Sequence, residues 1–386
     1  MLERSDKFQD IRDAIRALCE EYPGEYFRRL DENGDYPEAF VRSLTDSGWL
    51  AAMIPEEFGG SGLGITEASV IMEEINRCGA NAASCHGQMY NMGTLLRHGS
   101  DEQKQRYLPA IASGELRLQS MAVTEPNSGT DTTRIRTTAV KKGGSYIING
   151  QKIWTSRVNH SDLMVLLART TPVNETNRKT DGLSIFLINI QQALNNGMTA
   201  RPISNMLNQD TSELFFDDLE IPGESLIGEE GRGFKYLLDG LNAERILIAA
   251  ECIGDAFWFI NRATQYAGER IIFDRPIGQN QGVAFPIAEA YIELQAANLV
   301  RWKACELFDS NLNCGAEANM AKYLAAKVSW EAANVCLQTH GGFGFATDYD
   351  IERKFRETRL YQVAPVSTNM IFSYIAEHVL GLPRSF

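Results

Sequence analysis

Two stretches carry residue types that could do chemistry. The first runs from Met121 to Ser156. An apolar run ends at Thr124-Glu125-Pro126, and the small, turn-prone Asn127-Ser128-Gly129-Thr130-Asp131 follows. Ile148-Asn149-Gly150-Gln151-Lys152-Ile153-Trp154-Thr155-Ser156 closes the stretch. Two β-like runs meet at turns, with hydroxyls and a Trp near their ends. A planar, partly polar cofactor needs such a wall, an aromatic or apolar floor with hydroxyl and amide donors at its edge. An ordinary strand-turn-strand unit would show the same pattern. The second stretch is Asn242-Ala243-Glu244-Arg245-Ile246-Leu247-Ile248-Ala249. Leu237, Leu241, Glu244 and Ile248 fall on one helical stripe. A carboxylate there is out of place unless it is paired or functional. A dry site would raise its pKa toward neutrality, as a general base requires. A structural ion pair is the other reading, and Glu251, one heptad on, is a rival carboxylate.

These residues need helices and strands to position them. Residues 6–117 show helical periodicity, as in Phe8, Ile11, Ile15 and Leu18. Ser100-Asp101-Glu102-Gln103 is a capping-box pattern that opens a short helix to Ala112. The glycine-rich Pro55 to Gly64 lacks the lysine of a phosphate-binding loop, so it reads as a helix linker. Short β runs follow, among them Leu163 to Ala168, Leu183 to Ile188 and Glu213 to Phe216. Beyond Gly233 the pattern is helical again over Phe234–Gly268, Val283–Asn311, Glu317–His340 and Ser367–Leu380. The expected fold class is α+β. It has an all-α domain (1–117), a small β-barrel or sandwich (118–228) and a four-helix bundle (229–386).

The order of these pieces resembles the acyl-CoA dehydrogenase family. Val123-Thr124-Glu125-Pro126 with Ser128 to Asp131, Ile148 to Lys152, and Trp154-Thr155-Ser156 carry the resemblance in the middle domain. Gly99, Gln103, Lys104, Leu108 and Pro109 extend it upstream, as does Pro55 to Gly64. The resemblance implies FAD, held by Met121, Val123, Thr124, Trp154, Thr155 and Ser156. Arg270, Phe273, Ile277, Gly278 and Gln281 match a family segment whose arginine and glutamine reach the cofactor, except that Asp274 replaces a glycine. A guanidinium suits a pyrophosphate through paired hydrogen bonds. Gln338, Gly341 and Gly342 match a segment that reaches a flavin held mainly by a neighbouring subunit, so a homodimer or homotetramer is expected. Ser367 and Asn369 are further cofactor candidates. Thr130, Asn242 and Arg245 are substrate candidates.

Family members oxidise acyl-CoA thioesters and pass electrons to an electron-transfer flavoprotein. Many place the base in a Tyr-Glu-Gly-Thr-type segment near the carboxyl end, where this chain has Tyr361 to Asn369 and the glutamate position holds Pro365. The branch that includes the isovaleryl-CoA dehydrogenases carries its glutamate where Glu244 stands. Proline also lacks the N–H that binds the thioester oxygen in relatives. That departure leaves room for a flavin oxidase or monooxygenase, or a non-enzymatic flavin-bearing interaction protein, on the same fold.

The formal charge of −13 argues against nucleic-acid binding. No apolar run is long enough to span a bilayer. Seven scattered cysteines form no C-x-x-C pair, and neither a metal site nor a disulfide framework is expected. His86 beside Cys85 reads as a packed or surface residue. Glu3, Asp6 and Asp10 make the opening segment unlike an import leader, and a cytoplasmic location is expected.

Overall fold

A computed structural model describes residues 6–207 and 210–384; Glu3 lies outside them. Helices α1 (Gln9–Glu20), α2 (Gly24–Asn33), α3 (Glu38–Asp46), α4 (Ile65–Arg77), α5 (His86–His98) and α6 (Asp101–Ala112) precede the strands. Then come β1 (Ser120–Ala122), β2 (Thr138–Lys142), β3 (Ser145–Ser156), β4 (Leu163–Arg169) and β5 (Leu183–Asn189). A short helix α7 (Ile190–Leu194) leads to β6 (Met198–Pro202), β7 (Thr211–Pro222) and β8 (Leu226–Ile227). The rest is α8 (Gly233–Glu269), the β9 (Ile271–Ile272) and β10 (Arg275–Pro276) hairpin, α9 (Gln281–Asp309), α10 (Gly315–His340), α11 (Ile351–Arg359) and α12 (Thr368–Tyr374). The helix, sheet, helix order is the expected one. Helix α11 was not expected, and the last helix is shorter than Ser367–Leu380 and runs into a π-turn over Ile375–Val379.

By internal contacts the chain forms two compact units. One holds Tyr36–Gly62 and Ala83–Leu241. Its eight-stranded sheet runs β6-β7-β3-β2-β4-β5-β8, with β1 parallel to β4. Strand β4 is apolar from Leu163 to Ala168 and buried along its whole length, as a strand covered on both faces must be. Met164, Leu166 and Ala168 share one core with Ile148, Phe186 and Phe216 of the sheet. Val165 and Leu167 share the other with Leu95, Leu108 and Ile111 of the flanking helices. The capping box at Ser100 is present, with Gln103 N–H donating to Ser100 Oγ at 3.2 Å. The Pro55 to Gly64 loop is a linker as expected; a Cβ on Gly60 would collide with the Ile54 carbonyl, so close backbone approach explains that glycine.

The other unit holds Met1–Asp35, Leu63–Ala82 and Asn242–Phe386. Here α8 crosses α4 so closely that a Cβ on Gly254 would meet the Glu73 carbonyl oxygen. Charged groups are buried in this unit in compensated sets. Arg301 Nη2 meets Glu73 Oε2 at 2.5 Å, and Arg12 Nη1 reaches Glu73 at 2.9 Å and Glu74 at 2.6 Å. Such pairing is the condition for burying ions at all.

Candidate active site

The two halves of the Met121–Ser156 motif are fastened to each other. Thr124 C=O accepts from Ile153 N–H at 2.9 Å. Lys152, fully buried, donates from Nζ to Val123 C=O at 2.9 Å and to Glu125 Oε1 at 3.0 Å. Glu125 also accepts from the N–H groups of Arg136 (2.6 Å) and Thr137 (2.9 Å). Burial pushes the Glu125 carboxyl up, but Lys152 and these amides hold it below the usual range. Burial lowers Lys152 to about 8 against the pull of Glu125. The glutamate and lysine of the motif are thus its internal clamp.

Strand β3 is irregular where the cofactor wall was expected. Its pairing with β7 shifts between Ile148 and Gly150 and again between Lys152 and Thr155. A Cβ on Gly150, at φ +147, would lie 2.6 Å from Thr137 Cα. At the second shift Trp154 adopts φ 61 and stands 57% exposed. A bulky residue in the left-handed region is uncommon, and such bulges concentrate beside functional sites. Met121, Val123, Thr124 and Ser156 are half-buried around it, Thr155 is buried and Thr130 is exposed. The Thr155 and Ser212 hydroxyls, paired across β3 and β7, are buried with no protein hydrogen-bond partner. An outstanding aromatic face beside unsatisfied hydroxyls fits the requirements of a flavin edge.

In the other unit, residues 243–256 of α8 are buried all round and include Glu244, Arg245, Glu251 and Asp255. Each acid has different surroundings. Glu251 Oε2 accepts from Tyr361 OH at 2.8 Å. Asp255 meets Lys354 Nζ at 2.6 Å and accepts from Asn76 Nδ2 at 3.1 Å, and burial raises its carboxyl to about 6. Glu244, 5% exposed, acts electrostatically on Arg245 and Lys322. Arg245 Nη1 donates to Asn242 Oδ1 at 2.8 Å, its Nε has no protein partner, and burial lowers its pKa. The rival carboxylate Glu251 is therefore committed to a tyrosine, while Glu244 sits beside two cations.

Lys322 is a residue that sequence reasoning missed. It is buried on α10, and its Nζ donates to Val366 C=O at 2.9 Å. Burial brings it down to about 8, with Cys252 and Glu244 opposing. It lies on a stripe with Ala318, Ala325 and Ser329, so the rule that singles out Glu244 would have singled it out too. The peptide bond between Ala364 and Pro365 is cis. Ser367 caps α12, its Oγ accepting from Met370 N–H at 3.4 Å, and Asn369 is exposed in the first turn.

Arg270, Gly341 and Gly342 are brought together. With Tyr266, Thr339 and His340 among others they line a cleft of about 590 Å³. Arg270 lies over the Phe343 ring at 5.8 Å, and His340 stacks on Tyr266 at 4.1 Å. Gly341 has φ +59, with open space where a Cβ would project. An exposed guanidinium and open glycine backbone suit a phosphate-bearing, planar group. Phe273, Gln281 and Gln338 are exposed and do not line this cleft. Phe273 and Asp274, at φ 53 and 63, form the two-residue turn between β9 and β10. That turn needs positive φ at both positions, which accounts for the family glycine where Asp274 stands.

Among the described residues no cluster could hold a metal ion, and no helix is long and apolar enough to cross a membrane. Family models described as the acyl-CoA dehydrogenase N-terminal, middle and C-terminal domains match residues 5–115, 120–219 and 231–380. Acyl-CoA dehydrogenase FadE12 of Mycobacterium tuberculosis (strain ATCC 25618 / H37Rv) is 33% identical over 389 residues, covering 99% of this chain and 98% of that protein. The caffeyl-CoA reductase-Etf complex subunit CarC of Acetobacterium woodii is 30% identical over 93% of this chain and 94% of its own. The solved glutaryl-coenzyme A dehydrogenase in complex with glutaryl-CoA superposes with a TM-score of 0.92 at 29% identity, covering 100% and 98% of the two chains. This chain therefore belongs to the acyl-CoA dehydrogenase family and is an FAD-dependent enzyme of that family.

Proposed function

We infer that the chain dehydrogenates an acyl-CoA thioester between Cα and Cβ, with Glu244 as the base that takes the α proton. Bound FAD supplies the acceptor for the β hydride. The supporting observation is Glu244 itself, a buried carboxylate on α8 that acts on Arg245 and Lys322. Trp154 provides the aromatic wall for the cofactor. Met121, Val123 and Thr124 form its floor, and Thr155 and Ser156 donate at its edge. Ser367 and Asn369 complete the polar contacts. Arg245, with its Nε unmatched by protein, and Asn242 orient the substrate, and Thr130 contributes from its exposed turn.

Gln338, Gly341 and Gly342 reach the flavin of a second copy, and Arg270, Phe273 and Gln281 are further cofactor contacts, so the working assembly is a homodimer or homotetramer. The exposed hairpin tip, with Phe273 94% accessible, supports this reading. Electrons leave to an electron-transfer flavoprotein, in line with CarC of Acetobacterium woodii being a subunit of a reductase-Etf complex. The free cysteines accord with a reducing, cytoplasmic setting. Proline at position 365, which has no N–H to offer a thioester oxygen, favours the second reading, a flavin oxidase or monooxygenase.

Anaerobic mixing of the yellow protein with a panel of acyl-CoAs tests the assignment. Flavin bleaching by at least one member is expected; none, together with substrate-dependent oxygen consumption, would transfer the assignment to the oxidase class. Trp154→Ala is expected to weaken FAD binding, read as a higher dissociation constant in flavin titration. Added FAD should raise the melting temperature of the wild-type apoprotein, because it binds the folded state, and raise it less for this variant.

A further inference from the structure

Cys19 and Cys78 lie 59 residues apart, one in α1 and one just past α4, yet their thiols are in hydrogen-bonding contact. Cys19 is in the last turn of α1 and is buried, while Cys78 follows α4 and is exposed. Both segments are anchored from several sides. Arg12 and Arg16 tie α1 to Glu73 and Glu74 of α4 at 2.6–2.9 Å. Beyond Cys78 the chain turns at Gly79, φ +88, where a Cβ would lie 2.7 Å from Trp258 Nε1. Arg353 Nη2 donates to Gly79 C=O at 3.1 Å, and Lys354 Nζ donates to Ala80 C=O at 2.9 Å. Arg77, the residue before Cys78, lies over the Phe257 ring at 4.4 Å. The two sulfurs are therefore held against each other, one reachable from solvent and one behind it.

We propose that Cys19 and Cys78 form a redox dithiol, with Cys78 the attacking thiol and Cys19 the resolving one, and that hydrogen peroxide converts the pair to a disulfide joining α1 to the end of α4. The Cys78 thiolate attacks a peroxide oxygen: an S–O bond forms, the O–O bond breaks, and water leaves once its oxygen is protonated. The Cys19 sulfur then attacks the Cys78 sulfur: the S–S bond forms, the S–O bond breaks and a second water leaves. The two thiols lose two electrons and two protons, and the peroxide is reduced to two waters. An exposed thiol with a neighbouring thiol in contact is the arrangement that favours this sequence over further oxidation. The contact with Cys19 lowers the Cys78 thiol below its usual range, against burial and Glu74, and Arg16 and Arg77 act in the same direction. The remaining cysteines lack this combination: Cys85, Cys252, Cys305, Cys314 and Cys336 are all buried.

Hydrogen peroxide added to the holoenzyme provides the test, followed by thiol blocking, digestion without reductant and mass spectrometry. The expected product is one linked peptide pair containing Cys19 and Cys78, about 2 Da lighter than the sum of its reduced peptides, and restored by dithiothreitol. Cys78→Ser should abolish the crosslink and leave Cys19 unoxidised. Cys19→Ser should leave Cys78 as a sulfenic acid that dimedone traps at least severalfold more than in wild type. Wild-type protein that shows no Cys19–Cys78 crosslink, or that traps equal dimedone with and without Cys19, overturns the proposal. The wild-type peptide map decides the matter even if either variant fails to fold.

Discussion

Glu244→Gln should keep the fold, retain FAD and bind acyl-CoA, yet lose flavin reduction by about 10²–10⁴-fold, the usual contribution of a positioned general base. The exchange preserves shape and most hydrogen-bonding capacity and removes the negative charge together with the ability to accept a proton. Arg245, next in sequence, cannot substitute, because a guanidinium does not deprotonate. Glu251→Gln is the control. Its Oε2 accepts from Tyr361 OH, so the change should perturb packing around Tyr361 while flavin reduction survives. Single-turnover reduction of both variants by the same acyl-CoA distinguishes them. A wild-type rate in Glu244→Gln with a collapse in Glu251→Gln would move the base one heptad along α8.

The second large effect is on stability. Lys152→Ala removes the cation from a fully buried pair and leaves the Glu125 carboxylate facing two backbone amides, with Arg169 as the cation that still acts on it. Breaking a buried pair from one side typically costs about 3–5 kcal/mol, a large part of the stability of an ordinary domain. Urea unfolding of the apoprotein should show that loss. The double variant Lys152→Met with Glu125→Gln should recover part of it, because no unpaired charge then remains inside. If Lys152→Ala unfolds at the wild-type urea concentration, the pair is not the clamp of the motif.

This clamp shows where sequence reasoning ended. Glu125 and Lys152 are 27 residues apart, and nothing in their spacing joins them. Simple alternation along β3 also fails to place the side chains, because the register shifts at Gly150 and before Thr155 reset which face each residue takes. The motif could be read as a cofactor wall, but not that its two charged residues serve each other. By contrast, Glu244 was legible, because a carboxylate on the Leu237–Ile248 stripe stands out against its neighbours. Lys322 obeys the same rule on α10 and passed unnoticed, since its stripe is built from alanines and a serine rather than large apolar residues.

The long helices were legible from their periodicity. Helix α11, Ile-Glu-Arg-Lys-Phe-Arg-Glu-Thr-Arg, was not, since charged residues dominate it. Its Arg353 and Lys354 are nonetheless buried, Lys354 Nζ meeting Asp255 of α8 at 2.6 Å and Arg353 Nη2 donating to Gly79 C=O at 3.1 Å. Paired burial of charge depends on partners distant in sequence, so composition alone reads such a segment as surface. The hairpin at Phe273-Asp274 was hidden for a different reason. Phenylalanine disfavours positive φ and no glycine or asparagine stands beside it, so the turn carried only the weak signal of Asp274.

The central claim is that Glu244 takes the α proton of an acyl-CoA, and hydrogen exchange at that carbon measures it without reference to any electron acceptor. Holoenzyme is incubated in deuterated water with a substrate from the panel, or with a 3-thia analogue that cannot be oxidised further, and deuterium at Cα is read by mass spectrometry. Wild type is predicted to exchange the α hydrogen. Glu244→Gln, with FAD bound and the same ligand affinity, is predicted to slow that exchange by at least about 10²-fold. Exchange at equal rates in the two proteins would contradict the account and assign the proton to another group.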